Sequence, residues 1–506
     1  MNADSSLATL VEGFLASLTA AGHGQQPQII ETHISLVLLA GEFAYKFKKP
    51  VNFGFVDFST AAKRQHFCAR EVTLNRRFAP RIYLDVENVD VAGKQDFAVR
   101  MRRFPLDATL DALLSRAAVD TDLLCAFARR LAHLHATAEP VADTALFGSA
   151  SMVRAQFDAC CEAPLAALLS AQLSTLLNAG LDAAMPAFAA RRAAGFVRDC
   201  HGDLHSANVV AYEGELQAFD CIEFNDELRI IDTLSDAAFL LMDLDHHGAA
   251  TLGHGFLNSY LEARDDYQGL ALLPLYCAYR ALVRAKVAML RGAQAGGAGA
   301  ERERAQATSH IALAQRYLQA SGQPGLVLTH GLSGSGKSYH ARWLAAQRGF
   351  IHLRSDIERR RVAGLPLDGP SGHRVEGGIY TAQMTGATYA RLATLSATAL
   401  AAGYSVVVDA AFLQAAERAP FAALAKTHGA SFHILLCEAP EQELQRRILA
   451  RAARGDDPSE ATLEVLAQQQ RHYEGLSAEE RRLAVPAAGL AADTTVLAKL
   501  GRVRAH

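Results

Sequence analysis

One polar segment of the sequence carries side chains that could transfer a phosphoryl group. HGDLHSAN spans residues 201–208 and is followed by AFDCIEF, which contains Asp220. Phosphoryl transfer to a hydroxyl needs a carboxylate that accepts the proton of the acceptor, ligands for the metal on the nucleotide, and a cation on the phosphates. Asp203 is the candidate base, and Asn208, five positions later, is a candidate metal ligand on the same loop. A predicted hairpin returns Asp220 to the same end, where it could also hold Mg²⁺.

A second segment, GLSGSGKS at residues 331–338, fits the pattern Gx4GK[ST] and lies between an apolar strand and a helix. Backbone N–H groups in such a loop, and those at the start of the following helix, cradle phosphates. The pattern predicts that Lys337 reaches the terminal phosphates of ATP and that Ser338 holds Mg²⁺. The predicted ATP-binding residues of this segment are Gly331, Leu332, Ser333, Gly334, Ser335, Gly336, Lys337 and Ser338.

Two carboxylates that follow the glycine loop could complete a site with it. LRSDIERR places Asp356 after the next predicted strand, and VVVDA ends another strand in Asp409. Ligands bind at the carboxyl ends of parallel strands, so both side chains should face the glycine loop. We predict that Asp409 holds Mg²⁺ through water. Structural helix capping is the alternative role for both carboxylates.

A charged helix further along the chain could act as a lid. It carries Arg447, Arg451 and Arg454 at spacings of four and three, so one face presents three guanidinium groups. This face could close over the transferring phosphate. The alternative is an ordinary solvated helix face.

The elements that must position these residues differ between the two parts of the chain. Before residue 322, the pattern predicts two short strands in THISLVLLAGEFAYKFKKP, a charged helix in AKRQHFCAREVTLNRRF and a strand in DFAVRMRRF. Helices are predicted from Leu110 to about Phe196, followed by a β-hairpin with its turn at Glu213 and Gly214. After residue 322, strands alternate with helices, which implies a parallel sheet with helices on both faces.

The length of the chain, 506 residues, exceeds what one hydrophobic core usually supports, and about 150 residues per domain suggests two to four units. The segment 291–305, RGAQAGGAGAERERA, predicts a flexible break between helices, and SGQPG at 321–325 predicts a second break. We therefore place the domain boundary near residue 322. The predicted organisation is an α+β bilobal domain followed by an α/β domain: residues 1–322, with a small lobe at about 25–105 and a helical lobe at about 106–320, and then residues 323–506.

The form HGDxxxxN, with a metal aspartate after a hairpin, resembles the catalytic loop of the aminoglycoside phosphotransferase family, relatives of the protein kinases. The resemblance covers about residues 25 to 320 and implies a protein-kinase-like fold that uses ATP and Mg²⁺. It implies that Lys46, in FAYKFKKP, binds the ATP phosphates and that Glu71 is its helix partner. Lys48 lies on the same strand face as Lys46 and could substitute for it, whereas Lys49 faces the other way. No GxGxxG precedes Lys46, so the phosphate-covering loop should be short.

Structural roles are the alternatives for several charged residues of this half. Glu223, Asp232 and Asp236 are predicted to cap or brace the helical lobe rather than to do chemistry. Lys46 and Glu71 could instead be two solvated surface charges.

Residues 324–506 resemble the P-loop kinases that include polynucleotide kinase, gluconate kinase and the zeta toxins. The resemblance implies that Asp356 activates the acceptor hydroxyl and that Arg359, three residues later, helps to bind it. These families share the ATP end of the site and differ at the acceptor end, so the resemblance implies no particular substrate.

The composition limits which partners and which cellular compartment are expected. The formal net charge of −3 does not favour a general nucleic-acid binder. The apolar runs are far shorter than the roughly 20 residues that span a bilayer, so no membrane partner is expected. No Lys or Arg precedes Lys46, and the eight cysteines include no CxxC pair, so we expect a cytoplasmic protein with reduced thiols and no zinc site.

The leading hypothesis is a tandem enzyme in which both halves use Mg-ATP to phosphorylate hydroxyls on small polar molecules. A nucleic-acid 5′-hydroxyl is an alternative acceptor for the second half. A rival hypothesis from a different class is a regulatory module, in which one half binds nucleotide as a switch that controls the other. A third treats the P-loop half as an ATPase that serves a partner.

Overall fold

The computed structural model describes residues 3–23, 27–32, 34–52, 56–141, 146–319, 322–367, 381–454, 462–488, 490 and 500. The chain divides into two compact units, each built from several segments. The first unit comprises Met1–Leu169, Leu181–His247 and Tyr279–Arg304. The second comprises Ser170–Gly180, Gly248–Ala278 and Ala305–His506.

The first unit begins with a helix and an antiparallel sheet. In chain order these elements are α1 (Ala3–Ala20), β1 (Gln28–Glu31), β2 (Ser35–Ala40), β3 (Phe43–Lys48), α2 (Ala61–Asn75), β4 (Tyr83–Val91) and β5 (Lys94–Arg102). The sheet order is β1-β2-β3-β5-β4. Tyr45 and Phe47 pack against α1, whereas Ala44 shares a core with Cys68 and Val72 of α2. Because side chains alternate along a strand, Lys46 and Lys48 lie on the α2 face with Ala44.

The rest of the first unit is mostly helical, with two small antiparallel sheets. Its elements are α3 (Leu110–Ser115), α4 (Thr121–Thr137), α5 (Ala150–Cys161), the part of α6 (Ala171–Ala193) from Leu181 onward, β6 (Val197–Asp199), β7 (Val209–Tyr212), β8 (Glu215–Ala218), α7 (Asp226–Arg229), β9 (Ile230–Asp232) and α8 (Thr233–His246). The predicted hairpin is the pair β7–β8. Its turn residues Glu213 and Gly214 have φ of 49° and 81°, as a tight hairpin turn with two left-handed residues requires.

The segment predicted as a flexible break is helical. The elements α9 (Ala250–Arg264), α10 (Leu273–Ala295) and α11 (Gly297–Gln319) follow α8. Only Gly296 lies between α10 and α11, so the predicted break between helices is present but is confined to one residue, and the rest of residues 291–305 is helical. Alanine is the strongest helix former, and it outweighs the glycines here. The interruption falls at Gly296 and Gly297, whose φ values are positive.

The second unit contains the predicted parallel sheet. Its elements are β10 (Gly325–His330), α12 (Lys337–Arg348), β11 (Ile351–Arg354), α13 (Ser355–Val362), α14 (Ala382–Ala401), β12 (Val406–Asp409), α15 (Ala415–Thr427), β13 (Ser431–Leu436), α16 (Glu441–Arg454), α17 (Leu463–Arg471), α18 (Ala478–Leu483) and β14 (Ala484–Pro486). The sheet order is β11-β12-β10-β13-β14, and the recorded pairs are all parallel. The glycine loop therefore follows the central strand.

Helix α9 belongs to the second unit although it precedes the predicted boundary near residue 322. The side chain of Asn258 donates to the carbonyl of Phe350 (3.0 Å) and accepts from the N–H of His352 (2.7 Å), which satisfies backbone groups at the β11 edge of the sheet. Glu262 forms an ion pair with Arg354 at 3.4 Å. These contacts explain why the compact units divide the chain differently from a single boundary in sequence.

No helix in the described parts of the chain combines the length and the apolar character needed to cross a membrane. The eight cysteines are free thiols, and most of them are buried.

Candidate active sites

The loop 201–208 of the first unit brings the predicted base and one predicted metal ligand together. The Asn208 amide nitrogen donates to the Asp203 carboxylate and to the Asp203 carbonyl, at 3.0 Å each. His205 lies 3.5 Å from the same carboxylate. Asp203 keeps 37% of its side chain exposed, so an acceptor hydroxyl can reach it. Burial opposes ionisation of Asp203, but nearby His205 and Arg284 hold its pKa well below the ordinary value.

The predicted lysine and its helix partner form an ion pair. The Nζ of Lys46 on β3 lies 2.9 Å from a carboxylate oxygen of Glu71 on α2, and it also contacts Asp220. Burial lowers the pKa of Lys46, but Asp220 and Glu71 raise it well above the usual value. Glu71 is fully buried, whereas Asp220 is 45% exposed and free to meet a ligand on one side. The reading of Lys46 and Glu71 as two solvated surface charges is therefore wrong.

A second lysine–carboxylate pair lies beside the first. Lys48, almost fully buried, contacts the other oxygen of Glu71 at 2.6 Å and also binds Glu223. Glu223 is 4% exposed, and burial raises its pKa although Lys48 opposes the rise. Lys48 thus bridges two carboxylates behind Lys46. Alternation along β3 placed Lys48 on the correct face, but its pairing with Glu223, three residues after Asp220, was not visible in the sequence.

The loop that carries the predicted base is held by Asp236, which was predicted to brace the helical lobe. Its two carboxylate oxygens accept from the backbone N–H groups of His201 (3.0 Å) and Gly202 (2.8 Å). His135 lies 3.2 Å away, and Asp236 is fully buried. Burial alone would raise the pKa of Asp236, but His135 and His201 lower it to about 2. Asp232 has a separate structural role, because it pairs with Arg191 at 2.6 Å.

We expect Asp236→Asn to remove a pH-dependent part of the stability. The folded-state pKa of Asp236 lies below its ordinary value, so its stabilisation is complete above about pH 4 and is lost as the pH falls towards 2. The difference between the ordinary and the folded-state pKa corresponds to about 2 kcal/mol in the free energy of unfolding. Urea unfolding between pH 5 and pH 2 should therefore show a steeper loss for the wild type than for the variant. Equal slopes for the two proteins would contradict this role of Asp236.

The glycine loop of the second unit needs glycine for steric reasons. Gly331 has φ of 151°, and a Cβ there would overlap the carbonyl oxygen of Cys437. Gly334 has φ of 83°, and its Cβ would lie 2.7 Å from the carbonyl oxygen of Leu444 on α16. The loop therefore packs directly against the β13 end and against α16.

Replacing Gly331 with alanine should destabilise the protein by about 2 kcal/mol or more, because a strained φ adds to the overlap with Cys437. Thermal unfolding measures the effect. Gly386→Ala is the matched control, since a Cβ at this exposed position in α14 would meet nothing within 4 Å. The control should be stabilised by about 0.5–1 kcal/mol. A Gly331→Ala protein as stable as the wild type would contradict the packing described above.

The predicted site residues of the second unit converge on the carboxyl end of the sheet. Lys337 begins α12 and donates to the Leu332 carbonyl at 2.8 Å. Ser338 donates to Asp409, and His352 lies 3.3 Å from the same carboxylate. Burial opposes ionisation of Asp409, but His352 and the Ser338 hydroxyl lower its pKa.

A cleft of 650 Å³ joins the predicted ATP-binding residues to the predicted acceptor residues. It is lined by most of the side chains predicted for this half: Ser333, Lys337, Ser338, Asp356, Arg359, Asp409 and Arg447. Arg359 donates to the Thr385 hydroxyl at 3.1 Å. Further residues line the cleft that the sequence did not single out, among them Tyr389, Glu417, Arg446 and Gln469. These four residues share no sequence motif; they lie on helices that surround the carboxyl end of the sheet.

The predicted arginine face is described in part. Arg447 on α16 donates to the Gly334 carbonyl at 3.2 Å, and its Nε lies 2.6 Å from Glu443. This places one guanidinium against the glycine loop. The side chains of Arg451 and Arg454 lie outside the described residues, so their part in a lid stays a prediction.

Both units offer the oxygen ligands that Mg²⁺ prefers. In the first, the Asn208 nitrogen is used by Asp203, which leaves the amide oxygen for a metal, and Asp220 has an exposed carboxylate. In the second, the Ser338 hydroxyl lies against the Asp409 carboxylate. The residues present therefore fit the ion at each site.

Comparison with known proteins covers both units. A family model described as an AAA domain matches residues 326–476. The protein Rv2004c of Mycobacterium tuberculosis is 31% identical over 446 residues, which cover 86% of this chain and 88% of the mycobacterial protein. The protein Mb2027c of Mycobacterium bovis gives the same values. The chain belongs to the family of these mycobacterial proteins. Membership extends over both halves rather than over the P-loop half alone.

Solved structures also resemble parts of the chain. A choline/ethanolamine kinase family protein from Mesorhizobium loti is 14% identical, covers 60% of this chain and 99% of its own, and has a TM-score of 0.38. The aminoglycoside phosphotransferase APH(4)-Ia is 13% identical over 62% of this chain and all of its own, with a TM-score of 0.36. A gluconokinase from Sinorhizobium meliloti is 21% identical over 35% of this chain and 87% of its own, with a TM-score of 0.23. At these values the likenesses identify no acceptor.

The predicted fold classes are confirmed. The first unit has the predicted α+β organisation, with α2 inserted between β3 and β4 and with the Lys46–Glu71 pair across β3 and α2. The second has the parallel sheet and the glycine loop of a P-loop kinase, in agreement with the match over residues 326–476. The glycine loop and the match over residues 326–476 support ATP-dependent phosphoryl transfer in general.

Proposed function

We propose that this chain is a phosphotransferase with two kinase sites, each transferring the γ-phosphoryl group of Mg-ATP to a hydroxyl of a small polar substrate. The observation that carries the proposal is that each unit assembles its own set of groups. Asp203, Asn208 and Asp220 accompany Lys46 in the first unit. Lys337 lines one cleft with the acidic residues of the second.

In the first unit, Asp203 would orient the acceptor hydroxyl and accept its proton. Its lowered pKa keeps the carboxylate ionised at neutral pH, so it can accept that hydrogen bond. Lys46, held by the buried Glu71, would place a positive charge on the ATP phosphates. Asp236 keeps the loop in position through the N–H groups of His201 and Gly202.

In the second unit, Asp356 would orient the acceptor hydroxyl, with Arg359 binding the acceptor beside it. Lys337 would neutralise charge on the transferring phosphate, and Arg447 lies close enough to the glycine loop to assist. The cleft brings these groups together on the same side of the sheet.

Mg²⁺ would be held by Asn208 and Asp220 in the first unit, and by Ser338 in the second, where Asp409 would contact it through water. When bound, the ion neutralises charge on the phosphate oxygens of ATP. The eight free thiols support a reducing compartment, and we propose the cytoplasm.

The test is acceptor-dependent consumption of ATP by the full chain. Sugars, polyols, amino alcohols, nucleosides and a 5′-hydroxyl oligonucleotide would be supplied one at a time with Mg-ATP, and phosphorylated products would be separated by mass spectrometry. We expect phosphorylated small molecules. A phosphorylated oligonucleotide would instead support a nucleic-acid 5′-hydroxyl kinase. ATP hydrolysis without any acceptor would favour the ATPase, and nucleotide binding without turnover would favour the regulatory switch.

A further inference from the structure

The side chain of Gln469 makes a direct hydrogen bond to the glycine loop. Its Oε1 accepts from the backbone N–H of Ser333 at 2.8 Å. Ser333 belongs to the loop whose N–H groups cradle phosphates, and it is almost completely buried. Gln469 lies near the end of α17 and is half-buried. A side chain from another helix therefore occupies a donor of the phosphate-binding loop.

The hydrogen bond fixes which way the amide of Gln469 faces. A backbone N–H can only donate, so the atom beside Ser333 is the oxygen. The amide nitrogen therefore has both of its protons available for donation. The side chain lines the same cleft as Lys337 and Ser338. No hydrogen bond from this nitrogen is found among the described residues. It is a neutral donor placed next to a site for a highly charged anion.

The backbone around Gln469 is held in place from both sides. Leu466, three residues earlier, packs with Leu444 and Ile448 of α16, and Leu332 of the glycine loop joins this cluster. Tyr473 follows α17, and its hydroxyl lies 3.1 Å from Nε2 of His330, the residue directly before the loop. Contacts before and after Gln469 thus tie α17 to the glycine loop, so the amide is positioned in advance of nucleotide binding.

We infer that Gln469 binds the terminal phosphate of ATP in the second unit, with Oε1 on the Ser333 N–H and Nε2 donating to a phosphate oxygen. This inference rests on the proposed function, because it requires ATP in the glycine loop. It adds a recognition element that tells a nucleoside triphosphate from a diphosphate. The donor comes from α17, outside the sequence pattern that predicts the loop.

The test compares the affinities of the full chain for ADP and for a non-hydrolysable ATP analogue by calorimetric titration with Mg²⁺. All proteins carry Asp220→Asn, which removes a predicted metal ligand of the first unit and lowers the contribution of that unit to the measured nucleotide binding. Gln469→Ala should weaken the triphosphate analogue about tenfold or more, as loss of a hydrogen bond to a charged group does, and change ADP affinity by less than about twofold. The matched control is Gln470→Ala, an exposed glutamine of the same helix that is not among the residues lining the cleft, which should match the parent in both affinities.

A second substitution separates phosphate binding from support of the loop. Gln469→Glu keeps an oxygen that can accept from Ser333 but has no amide donor, so it should also lose the preference for the triphosphate. A Gln469→Glu protein that binds the triphosphate as well as the parent would overturn the inference, as would equal losses for ADP and triphosphate in Gln469→Ala. If the parent bound neither nucleotide, the proposed function itself would fail, and the inference would fail with it.

Discussion

Replacing Asp203 with asparagine should lower phosphoryl transfer by the first unit about 10²- to 10⁴-fold, the usual contribution of a positioned general base. Asparagine keeps the size of the side chain and removes the proton acceptor. Asp203 is reachable from solvent, and its carboxylate already accepts a hydrogen bond from Asn208 at 3.0 Å. The rate constant should fall much more than the affinity for ATP, because Asp203 acts on the acceptor hydroxyl. Initial rates at saturating ATP measure the effect.

A matched substitution should leave this rate unchanged. Asp182 is a largely exposed aspartate of the same unit that pairs with Arg154, and Asp182→Asn removes a carboxylate from outside the loop 201–208. Thermal unfolding of both variants checks that the fold is intact. Undiminished turnover of the first-unit product in a folded Asp203→Asn protein would rule out Asp203 as the base.

Replacing Lys337 with methionine should lower transfer by the second unit about 10²- to 10³-fold, as loss of a group that stabilises developing charge does. The substitution keeps an unbranched side chain but removes the positive charge at the start of α12. This ammonium group contacts the Leu332 carbonyl. Unlike the Asp203 variant, this one should also bind ATP more weakly, because the charge acts on the phosphates. Rates and titrations with ATP measure the two effects.

The control for this variant is Lys426→Met, which removes an exposed lysine from the last turn of α15 in the same unit. It should match the wild type in rate and in ATP affinity. A folded Lys337→Met protein that retained normal second-unit turnover would show that the glycine loop does not serve this reaction.

The sequence predicted the parts of both sites that depend on local spacing. HGDLHSAN carries the predicted base and one predicted metal ligand within a single loop, and the structure brings Asp203 and Asn208 to 3.0 Å. The glycine loop likewise lies between a strand and a helix, at residues 331–336. Alternation along β3 placed Lys46 and Lys48 on one face, which is the face that meets Glu71.

Contacts between distant segments were not predictable in this way. Gln469 meets Ser333 across 136 positions, and Lys48 meets Glu223 across 175. Neither pairing produces a periodic pattern in the sequence, because each depends on how whole helices and strands pack together. The same reason explains α9, whose Asn258 satisfies backbone groups of β11 although it lies before the predicted domain boundary. Strands β1 and β4 were also missed, because β1 is short and mostly exposed, and acidic and amide residues interrupt the apolar residues of β4.

The claim of two separate kinase sites is tested most directly by comparing the products of three proteins. The wild type, Asp203→Asn and Lys337→Met would each be incubated with ATP labelled in its γ-phosphate and with a protein-free small-molecule extract of the source cells. Mass spectrometry would then identify the labelled products. We expect each variant to lose a different labelled product and to retain the one that the other loses. Loss of one and the same product by both variants, with no second product in the wild type, would contradict two independent phosphotransferase sites.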